Sequence, residues 1–566
     1  MYLQDSFEAI GPARHTDGQL GHPDLIGHSE ILETRFYSCG DNAWCFVGNG
    51  LSNQTFVRGP EGIIAIDSGE CVEEMQAALA ALREVTDLPV VACIYTHFHY
   101  VGGTRAILDE AGEATLPIYG HGGIAANLQR FGGEIGPRSA RGLVHQFGVQ
   151  LPASGEDGLI NVGLGQFFRN PAHAPYTHGY VPANQTFSTP VSFTIAGLQV
   201  EMTPAPSDAT DSITIWFPEL NLCVNNLVWP ALFNIFAIRG EEYRDPRILL
   251  EGFSHLESLP IEYLLGTHGP PVAGREEIVG IIADFSDSIR FMWDQTVRGI
   301  NQGLTLDELT GAVQLPARFR RTYFTRQFYG LVEHHVRQIH AGLFGWFDEE
   351  PAKLFPLPPA DRAARLIGGF GGKDKVRHQV DEALEVLDFR WAIELSSWLV
   401  QAGNEPGDRN RLATALRGVA RRTTSANIRN WLLTRALELD GKLDLSRHRT
   451  HRFSYHEVLA AEPGAYIPLL RVMLDPARAR GLIHEVCWHF DTGETAGLRL
   501  RDQVAIPTDG TGADSLLRLG HDVWAQLLAQ KITLGAALEQ GRVTIEGDAA
   551  QVRRFFAAFD LESLRS

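Results

Sequence analysis

The sequence predicts a multidomain chain that joins an α/β part, an all-α part and an α+β part. Three observations predict this class. Short apolar runs broken by Gly and Asn turns fill residues 31–275 around a helical stretch, the texture of a sheet–helix sandwich. Apolar residues then recur at helical spacing from 276 to 440. Strand-like runs return between 450 and 566, with helices between and after them. A length of 566 residues suits several domains of ordinary size.

Residues 1–30 are polar and carry Gly, Pro and His, which reads as a segment wrapped over the surface. ILETRFYSC, AWCFVGNG, SNQTFVRG and GIIAIDSG follow as strands, VEEMQAALAALREV as a helix, and PVVACIYTH as an apolar strand that ends in histidine. Later strands are VSFTIAG, LQVEMTPA, SITIWFP, LNLCVNN and YLLGTHG. A long amphipathic helix begins at REEIVGII, and the Pro-rich EEPAKLFPLPPADRAARL is a turn that starts another. DEALEVLDFRWAIELSSWLVQAG and the two segments after it have the spacing of stacked helical hairpins. LIHEVCWHFD, GLRLRDQVAI and GRVTIEGD are strands of the last part.

The composition, 44% hydrophobic and 21% charged, is that of a globular protein. The net charge is −19 with no basic run, which argues against nucleic acid as a partner. No apolar stretch is long enough to span a bilayer, and the N-terminus has no secretory pattern. None of the six cysteines forms a CxxC pair, and most lie in apolar runs as buried thiols, so a reducing, cytoplasmic setting is expected. GGFGGK lacks the P-loop pattern and reads as a helix C-cap, and no GxSxG is present.

The stretch with the clearest chemistry is IYTHFHYVGGT, Ile94 to Thr104. Two histidines at i, i+2 where a strand ends can turn toward one ion, and neutral imidazole suits zinc, iron or copper. The segment resembles the THxHxDHxGGT motif of the metallo-β-lactamase superfamily. IIAIDSG resembles the strand that precedes this motif, and GTHGPP, with His268, resembles its late ligand loop. YGLVEHHVRQIHAGLFGWFDEEPAKLFPLPP is similar to the dimerisation signature of the type III alkylsulfatases. LSNQTFVRGPEGIIAIDSG, FAIRGEEYRD and GRVTIEGD also resemble parts of that family. The resemblance implies a metallo-β-lactamase sandwich over 31–275, a helical dimerisation domain over 276–440 and a sterol-carrier-protein-2-like domain over 450–566. It also implies a homodimer, an apolar-ligand role for the last domain and an interface around Phe344, Trp346 and Phe347.

The family holds two zinc ions, and the sequence departs from its ligand pattern. His97 and His99 match the first two ligands, but the Asp-His pair is missing and Tyr100-Val101 runs straight into Gly102-Gly103. The loop after Met202-Thr203-Pro204 offers Asp208 or Asp211 where the family has glutamate. The bridging glutamate falls on Asn226, and His268 remains. The surviving set, His97, His99, Asp208 or Asp211, and His268, is enough for one divalent ion per chain, zinc first and iron second. Two ions close together need anionic ligands to offset their repulsion, and those are gone.

By the same resemblance Arg239 holds the sulfate, with Arg141 and Asn226 as further substrate contacts. Arg239, His178 and Tyr100 are the catalytic candidates, and His145, His173 or His178 could replace a lost ligand. Asn53 reads as a turn residue, and Asp67 as a hydrogen-bonding support for the histidine loop. Three functions fit. The first is hydrolysis of a sulfate ester, or a related small anionic ester with an apolar tail, by metal-activated water. The second is oxidative chemistry on a small metabolite at a His-His-Asp iron centre. The third is non-catalytic binding by a dimer.

Overall fold

The computed structural model describes residues 10–113 and 115–565, and the first nine residues of the N-terminal segment lie outside them. The chain divides into two compact units. One takes the residues up to Leu128 together with Gly142–Asp444, and the other takes Gln129–Arg141 and the chain from Leu445 onward.

The first unit contains two facing sheets. One has seven strands in chain order, from Arg35–Cys39 to Gln185–Phe187, and the other has six, from Val191–Ile195 to Val272–Ala273. Their inner faces follow from side-chain alternation: in Leu198–Pro204, Leu198, Val200 and Met202 are buried while Gln199 and Glu201 are exposed. These residues meet Val57, Ile64, Ile66, Ala92 and Ile94 of the first sheet in one core. Gly62–Ile66, Val90–Ile94 and Ile118–His121 run parallel, so the loops that leave their carboxyl ends gather on one edge, where ligand sites of open α/β sheets form.

The long helix forms as Arg275–Asn301 and packs against Pro246–Ser258, with the Phe253 and Phe285 rings stacked at 5.7 Å. A single core runs from Leu25 to Ala426, so the residues on either side of 275 pack as one body. Four helices, Lys373–Glu385, Phe389–Ala402, Pro406–Ala420 and Ala426–Leu439, follow as packed hairpins.

The N-terminal segment is not merely a surface wrap. Pro23–His28 is a helix, started by Pro at its first position and capped by His22 Nδ1 accepting from the Asp24 amide. It buries Leu25 and His28, and His28 stacks on Phe328 and bonds the Gly163 carbonyl.

The second unit has a five-stranded sheet centred on His484–Phe490, and Trp488, Trp524, Phe555 and Phe556 fill its core. All six cysteines are free and buried. No helix among the described residues is long and apolar enough to cross a membrane.

Candidate metal centre

The strand Val90–Ile94 ends in an extended His97 and one 3-10 turn, Phe98–Tyr100, which brings His97 and His99 to the same side. Gly102 and Gly103 are required by close approach: a Cβ on either would overlap a backbone carbonyl, of Glu70 and of Ser68 respectively. Asp67 stands in left-handed backbone (φ 58°) and accepts from both the amide and the hydroxyl of Thr96, at 2.8 and 2.6 Å. This is the support expected of it.

That support fixes a proton. The Thr96 hydroxyl donates to Asp67, so its oxygen is left to accept from His97 Nδ1, 2.9 Å away. The proton is thereby assigned to Nδ1, and His97 Nε2 presents a lone pair. It faces Asp208 Oδ1 at 3.8 Å, and the other Asp208 oxygen lies 3.4 Å from His99 Nδ1. Each of the three residues offers one ligand atom within 4.8 Å of the other two. The His97 lone pair has the Asn226 amide nitrogen 3.4 Å away and faces a carboxylate across a gap longer than a hydrogen bond, and together with His99 Nδ1 it makes a donor set that fits a divalent cation.

The charges around this set are unevenly held. Burial pushes His97 down to about 3, against the pull of Asp208. Burial alone would also lower His99, but Asp208 and Glu241 outweigh it and raise His99 to about 9. Burial acts to raise Asp208, yet His97, His99 and Arg244 hold it well below the usual carboxylate range.

Several candidates have other tasks. Asp211 turns to Asn127 Nδ2 at 2.8 Å and stays outside the three-residue group. His268 donates from Nδ1 to the Leu51 carbonyl, so its Nε2 accepts from the Tyr100 hydroxyl at 3.3 Å. The Tyr100 hydroxyl therefore sits on the Nε2 of His268, a candidate ligand, and His268 stays outside the three-residue group. Asn226 is not an open substrate contact. Its oxygen accepts from Trp229 Nε1 and the Thr267 hydroxyl, which turns its amide nitrogen to Asp208 Oδ1 at 2.6 Å.

Arg141 belongs to the second unit and donates to the His448 carbonyl. His145 pairs with Glu438, His173 bonds Asn49, and His178 is exposed beside Tyr180. Asn53 does more than turn the chain: its amide donates to the Gly266 and Gly269 carbonyls and clamps the His268 loop.

Arg239 is buried, with its guanidinium 3.5 Å from the Tyr329 hydroxyl and paired with Glu241. Glu241 also pairs with Arg244, and its side chain is 2% exposed. Burial would raise its carboxyl, but Arg239 and Arg244 bring it down to about 2. Glu241 is not among the residues the sequence singled out. The available signal was that Arg239 and Arg244 flank two adjacent acids, Glu241 and Glu242, which the spacing alone does not tell apart.

A family model described as alkyl sulfatase dimerisation matches residues 305–442, and one described as alkyl sulfatase C-terminal matches 458–564. The chain is 32% identical to a linear primary-alkylsulfatase of Pseudomonas sp. (strain ATCC 19151), over 89% of this chain and 98% of that relative. It is 28% identical to an (R)-specific secondary-alkylsulfatase of Pseudomonas sp., over 98% of this chain and 84% of that one. Among solved structures, the stereoselective inverting sec-alkylsulfatase Pisa1 of Pseudomonas sp. matches with a TM-score of 0.83 at 25% identity, over 97% of this chain and 91% of that one.

Proposed function

The chain belongs to the alkylsulfatase family of the metallo-β-lactamase superfamily, and on that premise we propose that it hydrolyses sulfate esters with an apolar tail at one metal ion per chain. The observation that carries this reading is the convergence of His97, His99 and Asp208. The neutral Asn226 at the bridging position and the Tyr100 hydroxyl on His268 Nε2 support one ion rather than two.

The ion, zinc in this proposal, supplies Lewis-acid activation of water and of the ester. His97 Nε2, His99 Nδ1 and Asp208 would hold it, and Asn226 keeps Asp208 aimed by donating to Oδ1. Arg239 contributes positive charge for the sulfate head while it stays paired with Glu241. Burial keeps the Tyr100 phenol protonated, its pKa well above the usual value, and its one proton goes to His268 Nε2, so Tyr100 shapes the site rather than serving as the acid for the leaving oxygen. The dimerisation-type region supports a homodimer.

Metal analysis of the full-length protein together with assay on a medium-chain alkyl sulfate tests this. About one zinc per chain and release of inorganic sulfate are expected, with His97→Ala losing at least 100-fold in rate. Two zinc per chain would end the one-ion reading. One iron per chain without sulfate release would favour the oxidative alternative, and no metal at all would favour a binding protein.

A further inference from the structure

We propose that Glu241 is the positioning residue for the metal ligand His99, accepting from its Nε2–H so that Nδ1 is turned to the ion. The inference rests on the metal-site reading above and concerns a residue outside the three-ligand set. The His99 ring lies between two carboxylates: Nδ1 is 3.4 Å from Asp208 Oδ2, and Nε2 is 3.6 Å from Glu241 Oε1, an ion-pair distance that has to shorten by a few tenths of an ångström to become the proposed hydrogen bond. Only the Asp208 side also faces the Nε2 lone pair of His97. An ion held there takes the Nδ1 lone pair, and the ring proton must then reside on Nε2, facing Glu241. A carboxylate behind a ligating histidine fixes the ring's tautomer and orientation and raises its basicity.

Glu241 is held for this task from behind. Arg239 pairs with Oε1 and Arg244 with Oε2, and Arg244 is itself anchored by donating to the Asn234 carbonyl at 2.6 Å. The side chains of Glu241 and both arginines are 2–7% exposed, so the carboxylate has little freedom to leave. Two arginines would suffice to bury one acid as a structural pair. The approach of Oε1 to His99 is what a purely structural pair does not need.

Zinc affinity, measured by chelator competition on the full-length protein, tests the proposal, with melting of the metal-free protein as the control. Glu241→Gln keeps an acceptor but loses the charge, and Glu241→Ala loses both. Zinc affinity is expected to fall about 10–100-fold in Glu241→Ala and by less in Glu241→Gln. Wild-type zinc affinity in both variants, with only a lowered melting temperature, would overturn the proposal and leave Glu241 a counter-ion of the arginines. Because both variants expose paired arginines and could fail to fold, a second measurement uses the unmodified chain. In 15N-histidine NMR of the zinc-loaded protein, His99 is expected to carry metal on Nδ1 and a slowly exchanging proton on Nε2; the reverse assignment would overturn the proposal. Failure of the wild-type protein to bind zinc would instead remove the metal-site reading on which it stands.

Discussion

Asn226 is 1% exposed, and its amide nitrogen lies 2.6 Å from Asp208 Oδ1 and 3.0 Å from the Ser207 hydroxyl. Changing it to aspartate keeps the size and the acceptor for Trp229 and Thr267, but replaces the donor with a charge beside a charge. Asn226→Asp is therefore expected to destabilise the metal-free protein by about 1–3 kcal/mol. Zinc should narrow the deficit, because the added carboxylate then faces a cation. Thermal melts with and without zinc check this, and an unchanged metal-free melt would contradict the hydrogen-bond assignment. His97 and His99 were legible in the sequence because they stand together where one strand ends, whereas Asp208 and Asp211 came only through the family resemblance. The choice of Asp208 over Asp211 was not legible, since it depends on which one meets Asn226 and which meets Asn127. Glu241 was missed for a related reason. Glu241 and Glu242 are adjacent acids in a polar run, and only the fold decides which side chain turns inward between Arg239 and Arg244.

At the scale of elements, the strands and long helices follow their periodicity closely, because each has one face to bury. Short elements are harder to read: Pro23–His28 is six residues long and lies in a polar segment, although His22 and Pro23 carry its start signal. The helix Val72–Arg83 brings a different prediction. Glu74 in its first turn is buried, where it accepts from Gln54 Nε2 and the Glu70 amide and fills the space beside Gly50 and Gly69. Burial, with the charge of Glu70, raises its carboxyl from 4.5 to about 8, beyond what its hydrogen bonds restore. A carboxyl raised in the folded state binds its proton more tightly there than in the unfolded chain. Its contribution is thus fully present below about 4.5 and is lost as pH rises through about 8. Glu74→Gln cannot ionise, so its stability relative to wild type should improve by roughly 3–6 kcal/mol between pH 4.5 and pH 8.5. Any constant cost of the changed hydrogen bonds cancels in that difference. Denaturant unfolding at the two pH values checks it; a difference independent of pH would mean that Glu74 is charged in the folded protein. In the histidine loop, Gly103→Ala would drive a Cβ into the Ser68 and Cys71 carbonyls and is expected to cost about 3 kcal/mol in the same unfolding measurement.

For the whole molecule, the order of a sandwich, a helical region and a small α+β unit was legible from texture alone. The shared core across residue 275 was not, because contacts between distant segments leave no local pattern. The segment after the helix Val332–Phe344 points to assembly. Phe344, Trp346 and Phe355 are 61%, 65% and 89% exposed, while neighbouring Val336 and Ile339 are fully buried, so the local core is already complete without these rings. Large exposed apolar side chains can mark an interaction site, and these three lie within the region matched by the dimerisation family model. A second copy of the chain covering these rings would remove them from water, a gain that a single copy cannot make. The wild-type protein is therefore expected to scatter light as a particle near twice the 62.5 kDa chain mass, with a melting temperature that rises with concentration. Trp346→Glu combined with Phe355→Glu places two like charges on each copy at that face, and should give a 62.5 kDa particle whose melting no longer depends on concentration. Because both side chains are exposed in the single chain, the change should leave the metal-binding residues and the monomer fold intact. Retained zinc binding in a monomeric double variant would place the interface on this face, whereas a dimer that survives both charges would place it elsewhere.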